Sequence, residues 1–472
     1  MSKIRLLNFI GVLVLSVGLC GAQSAQDLLE QGRTYYKQGD YNKAFESFQK
    51  AANAGEAMGY LALGLMYESA KGTHQDMHQA FKYYQKAANM GVSEAYLILG
   101  SMYYNGTSVS KDYNKALKYY QKAANAGIAE GYTKLGFAYA EGHGVAQDYQ
   151  KAAQYYQQGT DMGDGEASYY LGQLYYKGQG VSRDYSKAWT CYIIAASLGD
   201  TRAYWSLGNM YYEGKGAIKD YIKAKEYFQQ AANAGNGMAY RALGWMYARG
   251  NGVEKDYKKA LEYFQKAANL GVAEAYTSLG LVYANGHGVT KDYKKATTYY
   301  QKATDLGDAR GYIGLGIMHE KGEGIKKDYK KALEYFQKGA DLGVAEGYAG
   351  LGNLYEKGEG VKKDYEKALE YYQKAADMGT SYGFLGLGNL YRDGLGVGKD
   401  YFKALEYYQK AADMGNDEAY LNLGNMYYKG QGVVKDYKKA LEYFKKGADL
   451  GNAHALYQVG HMYVVGEGVE KD

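Results

Sequence analysis

The chain has 472 residues, 56 of them basic and 51 acidic, for a formal charge of +5. So balanced a surface excludes the one-sided basic stripe of a nucleic-acid binder, and the length is too great for one ordinary core. Proline is absent, so no X-Pro bond slows folding, while 58 Tyr and 65 Gly demand a structural explanation.

The N-terminal segment reads as an export signal. Lys3 and Arg5 form a positive n-region, and Leu6 to Leu19 an apolar stretch too short for a comfortable membrane span. Gly21, Ala22 and Ser24 are small, which fits cleavage after Ala22 or Ser24. Residues 1–22 are therefore assigned to a signal peptide, and the mature chain to the periplasm or the extracellular space. Lipidation at Cys20 is the alternative and the only route to a membrane. Leu19 disfavours it, because that position normally holds a small residue. Removal of the signal leaves Cys191 alone, so packing and not a disulfide must hold the fold.

Next comes a short first unit, residues 23–55. Eleven units of 36 residues follow over residues 56–451, and residues 452–472 begin another. The anchor is the Gly of an L-G-x-x-Y pattern, which recurs in strict phase from Gly64, Gly100 and Gly136 to Gly424 and Gly460. Such spacing predicts a one-dimensional stack. Each unit divides into two helices, A and B. The A helix carries a small residue five before the anchor (Ala203, Ala239) and Tyr three after it, with His319 the sole exception. These spacings share one buried face. A Gly-x-Gly pair such as Gly358 and Gly360 then ends the A helix.

The B helix opens at K-D-Y, whose Asp recurs from Asp76 to Asp436 and suits an N-cap. Its inner face reads Ala, an aromatic four later, then Ala or Gly three further on, as in Ala368, Tyr372 and Ala375. A Gly closes each B helix, from Gly55 to Gly451. Most of the tyrosine is thus structural, a ring against small neighbours with its hydroxyl near the surface.

These signatures, A-x-L-G-x-M-Y, G-x-G-V-x-K-D-Y-x-K-A and Y-Y-Q-K-A-A-x-x-G, resemble the tetratricopeptide repeat and more closely its 36-residue relative, the Sel-one-like repeat. The resemblance covers residues 26–472 and implies an all-α, right-handed solenoid of antiparallel helix pairs, of the exported bacterial type. The first unit departs from it: Gly32 to Ala44 is 12 positions against 16 from Gly64 to Ala80, so residues 23–55 look like an ordinary tetratricopeptide repeat acting as a cap. The last A helix, near Leu456 to Val465, would have to cap the other end.

The resemblance also implies an adaptor that binds proteins or peptides, without cofactor, metal or nucleic acid. An envelope hydrolase is the alternative, since some cysteine-rich relatives carry a β-lactamase label. That subgroup staples each repeat with a cysteine pair that this chain lacks. No catalytic constellation stands out. His74 and His78 straddle Asp76 without a third ligand. The G-x-G loops follow helices and lack the full phosphate-loop pattern. Cys191 reads as a small core residue.

Comparing the units with one another locates a binding face. Positions that vary lie three before, one after and four after the anchor, one stripe of helix A that is expected to face solvent in the concave groove. In the fourth to sixth 36-residue units the stripe reads Tyr169, Gln173 and Tyr176, then Trp205, Asn209 and Tyr212, then Arg241, Trp245 and Ala248. Trp, Tyr and Arg are the residues most able to act as hot spots. The partner-binding residues expected are therefore Tyr169, Tyr176, Trp205, Asn209, Tyr212, Arg241 and Trp245. The competing reading is that these rings pad a curved inner surface.

Overall fold

A computed structural model describes residues 24–469. The signal segment with Cys20 and the terminal Asp472 lie outside the described residues. These residues fall into two compact units, one ending at Ala234 and one beginning at Gly235. Each unit is an all-α solenoid of antiparallel helix pairs. The first runs from the short pair Ala25–Gln38 and Tyr41–Asn53 to the pair Arg202–Glu213 and Tyr221–Asn233. The second runs from Gly237–Arg249 and Tyr257–Asn269 to Asp417–Lys429 and Tyr437–Asp449, followed by the A helix Ala453–Val465.

Local chemistry sets the boundaries. Each K-D-Y aspartate N-caps its B helix; the Asp184 carboxylate accepts the Lys187 backbone N–H at 2.9 Å. The first glycine of each G-x-G pair ends its A helix in the left-handed region, as Gly178 does at φ 71°. One A helix breaks this rule, because Ala70 takes the position at φ 54°. The glycine after each B helix lies one residue beyond the cap: Leu198 is the cap and Gly199 is left-handed. The short first pair has no G-x-G loop. Gly39 ends its A helix and Asp40 at once caps its B helix. Ser24 and Asp27 close a reciprocal capping box at the start of that A helix.

The core repeats with the sequence. In every complete repeat the first small residue of the B face is wholly buried, as Ala224 and Ala260 are, and the aromatic four residues on lies beside it. The anchor glycine makes room for that ring. A Cβ built at Gly208 would sit 2.5 Å from Phe228 Cδ1, and one at Gly172 would sit 2.8 Å from Tyr192 Cε1. Full burial of one such ring contributes about 1.5–3 kcal/mol. A second aromatic layer lies outside the first. Tyr83 stacks on Tyr67 with centroids 5.5 Å apart, and Lys86 lies over its ring at 5.4 Å. His319 replaces the usual Tyr without loss of the stack, lying 5.5 Å from Tyr335.

The tyrosine hydroxyls depart from expectation. The inner rings of Tyr84 and Tyr408 are fully buried, and their hydroxyls end on side chains of helix A instead of near water. Tyr84 donates to Glu68, Tyr372 to Glu356 at 2.7 Å and Tyr408 to Asn389 at 2.7 Å. With no side chain on the anchor glycine, the ring slides across helix A and its hydroxyl emerges among the stripe residues. Burial pushes the Tyr120 hydroxyl up to about 12. Cys191 is a buried core residue, its thiol pushed up by burial to about 11.

Candidate protein-binding face

The varied stripe stands directly on the inner aromatic layer. From Tyr169 to Ala248 its residues are half-buried, where the sequence predicted free exposure, and in other repeats the position three before the anchor is buried outright, as at Leu61, Leu97 and Leu385. The reason is the same anchor glycine, which brings the B-helix ring up beneath the positions before and after it.

In the first unit, Trp205 lies over Phe228 at 5.3 Å between centroids, and Tyr212 reaches the same ring at 6.4 Å. Asn209 is on the same helix, between them in sequence. Tyr169 packs on Tyr192 at 5.7 Å, is bonded by the Gln173 amide at 2.9 Å and carries the Arg202 guanidinium 4.5 Å above its ring. The Tyr176 hydroxyl donates to Glu213 at 3.4 Å. The structure thus brings Trp205 and Tyr212 together on one ring, and clusters Tyr169 with Arg202, which sequence comparison passed over.

In the second unit, Trp245 packs edge-on against Phe264 at 5.2 Å, with Arg249 over its indole at 5.0 Å. Arg241 is half-buried, and its Nε is buried without a hydrogen-bond partner. Burial pulls its guanidinium below the usual arginine range, and the nearby charges of Arg310 and Arg249 add to this against Glu274 and Asp308.

A helices of consecutive repeats also bond to one another along this face. Lys134 reaches Glu166 at 3.3 Å in the first unit, and Asn353 donates to Glu320 at 2.6 Å in the second. Each unit has a groove here. The first unit's groove, about 520 Å³, is lined by Tyr104, Tyr120, Glu130, Lys134 and Tyr170 among others. The second unit's groove, about 620 Å³, is lined by Ile313, Ile317, Glu320, Glu356 and Tyr382 among others. The sequence comparison did not single out either groove. A usable signal existed in Gly314, Gly350 and Gly386, which put glycine two before the anchor in three successive repeats. A Cβ at Gly350 would lie 2.7 Å from the Phe336 ring.

Among the described residues, no helix is long and apolar enough to cross a membrane, and no group of three His, Cys, Asp or Glu is placed to hold a metal.

Comparison with known proteins agrees with this architecture. The Sel1 repeat matches twelve consecutive segments from residues 57–92 to 453–472, and a tetratricopeptide repeat matches residues 28–54. The chain is similar to the crystal structure of a protective antigen with an SLR fold from uropathogenic Escherichia coli. Identity is 31%, over 89% of this chain and 93% of that one, with a TM-score of 0.66. It is also similar to a Sel1 repeat protein from Oxalobacter formigenes, at 37% identity over 51% of this chain and 99% of that one, TM-score 0.48. A third similar structure is the Helicobacter pylori cysteine-rich protein B, at 33% identity over 28% of this chain and 95% of that one, TM-score 0.24. No curated protein matches the sequence significantly. Repeats of this phase, caps and core over nearly the whole described chain leave one assignment: the chain belongs to the Sel1 repeat family.

Proposed function

We propose that this chain is an exported, non-catalytic scaffold that holds segments of other proteins on the exposed edge of its A helices. One observation carries the reading. The buried B-face positions and the B-helix Asp caps recur from repeat to repeat, while on helix A the stripe diverges and carries Trp205, Tyr212, Trp245 and Arg241. Divergence along an accessible face of a repeat stack is what a surface matched to a particular partner requires.

The aromatic residues there are anchored but not sealed. Trp205 packs tilted on Phe228 and Trp245 edge-on against Phe264, and both keep part of the ring accessible. A ring held in this way loses little conformational freedom on binding. Arg241 lacks a partner for its buried Nε, so a partner's carboxylate on the open side of its guanidinium would recover electrostatic energy. Export rests on Lys3, Arg5 and the apolar stretch Leu6 to Leu19.

The test is affinity capture from the native host with wild type, Trp205→Ala and Trp245→Ala chains. Loss of specific partners by variants with unchanged helical circular dichroism is expected. Equal recovery by all three would contradict the reading. Fractionation of the host locates the mature chain, and cytoplasmic retention would overturn export.

A further inference from the structure

The groove of the second unit differs from the rest of the A-helix face in its charge. Four carboxylates line it: Glu320, Glu346, Glu356 and Glu418, carried by three different A helices. Its apolar surface comes from Ile313 and Ile317 together with Leu385. Lys321 and Lys357 also line it, but both are exposed, and among the described residues neither forms an ion pair with these carboxylates within 4.0 Å. The groove of the first unit is different, because Lys134 sits between Glu130 and Glu166 at 3.8 and 3.3 Å and neutralises them internally.

Glu320 is the informative residue. It occupies the position four after its anchor, where Glu68 and Glu356 accept a hydrogen bond from the buried tyrosine of their own repeat. In its repeat that ring is Phe336, which has no hydroxyl to give. Among the described residues its carboxylate accepts one hydrogen bond, from the Asn353 amide of the next repeat. Burial pushes its carboxyl above the usual range. The charges of Lys357 and Lys321 offset this only in part, and a half-buried carboxylate with a neutral donor and no close ion pair costs stability unless a positive group reaches it.

We propose that this groove takes a basic side chain, lysine or arginine, of an extended protein segment, with apolar neighbours of that residue resting on Ile313, Ile317 and Leu385. The proposal deepens the scaffold reading and rests on it. The occupant follows from charge complementarity: several carboxylates around an apolar floor accept an alkyl stem and its terminal cation together. Tyr382, 58% exposed at the rim, offers a ring for the same cation. Among the described residues no three of these carboxylates are grouped to hold a metal ion.

The experiment is fluorescence anisotropy on the full mature chain with a rhodamine-labelled heptapeptide alternating lysine and leucine. Versions with acetyl-lysine and with glutamate in place of lysine serve as comparisons. Binding of the lysine peptide below about 1 mM is expected, at least about tenfold tighter than either comparison. Glu320→Gln with Glu356→Gln should weaken it by about tenfold or more, and Glu442→Gln, an exposed B-helix change of the same sign, should not. No binding of the lysine peptide, equal binding of the glutamate version, or indifference to the double variant would each overturn the proposal. The variants are isosteric, and unchanged circular dichroism confirms their fold. If Trp205→Ala abolishes native-partner capture while the peptide ignores Glu320 and Glu356, the basic occupant fails and the scaffold survives. If native capture ignores both tryptophans, the scaffold reading fails whatever the peptide does.

Discussion

Trp205 lies over Phe228 with ring centroids 5.3 Å apart, so the most prominent candidate contact of the first unit is also part of its packing. Both roles are measurable. Trp205→Ala removes a half-buried ring and should cost about 1–3 kcal/mol, less than for a fully buried aromatic. Urea denaturation reads that loss. Trp205→Phe should recover most of the stability. If the indole makes contacts that Phe cannot, partner capture should stay reduced in that variant.

The anchor glycines give a stability prediction with an internal control. A Cβ at Gly208 meets Phe228 at 2.5 Å, whereas one at Gly398 meets nothing within 4 Å. Gly208→Ala should therefore destabilise the first unit by about 1–3 kcal/mol through overpacking. Gly398→Ala should be neutral or stabilise by up to about 1 kcal/mol. Differential scanning calorimetry separates the two.

The cap at Asp328 predicts a pH dependence. Backbone N–H bonds from Lys331 and Lys330 hold its carboxyl below the ordinary value of 3.8. A depressed folded pKa contributes stability that is present above the unfolded value and is lost as pH falls below it. Asp328→Asn can still accept those N–H bonds but cannot titrate. Its melting temperature should fall less than that of wild type between about pH 5 and pH 3.

Glu320 has the opposite sign. Burial raises its carboxyl above the ordinary 4.5, so its contribution to stability is lost as pH rises through that region. Glu320→Gln should melt higher than wild type at pH 7, and the gap should close as pH falls toward about 4.5. A gap that stays constant with pH would show that charge is not the cause.

Cys191 supplies a reporter of unfolding in the first unit. With its thiol buried and pushed up to about 11, it should react with a disulfide reagent only when that unit opens. Labelling should follow the urea transition, and rapid labelling in buffer would contradict the packing around Tyr192.

Much of this fold was legible in the sequence because each element obeys local rules. The Asp caps, the glycine terminators and the Ala–aromatic–Ala face are decided within a few residues, and 36-residue phase repeats that decision. His319 shows how far this went: the apparent exception stacks as its tyrosine siblings do. The binding face was less legible, because its geometry depends on contacts between repeats. That Tyr84 and Tyr372 would spend their hydroxyls on Glu68 and Glu356 needs the ring's slide across the anchor glycine, which no single helix encodes. The grooves arise from side chains roughly one repeat apart, such as Asn353 and Glu320, and a stripe drawn on one helix at a time misses them.

Site-specific photocrosslinking in the native host tests the scaffold most directly. A benzoylphenylalanine placed at Asn209 looks out from the A-helix face of the first unit, and one at Glu226 from the exposed side of the following B helix. Discrete protein adducts from position 209 and none from position 226 are the expected result. Adducts at 226 alone, or none at either position while the chain is folded and expressed, would contradict it.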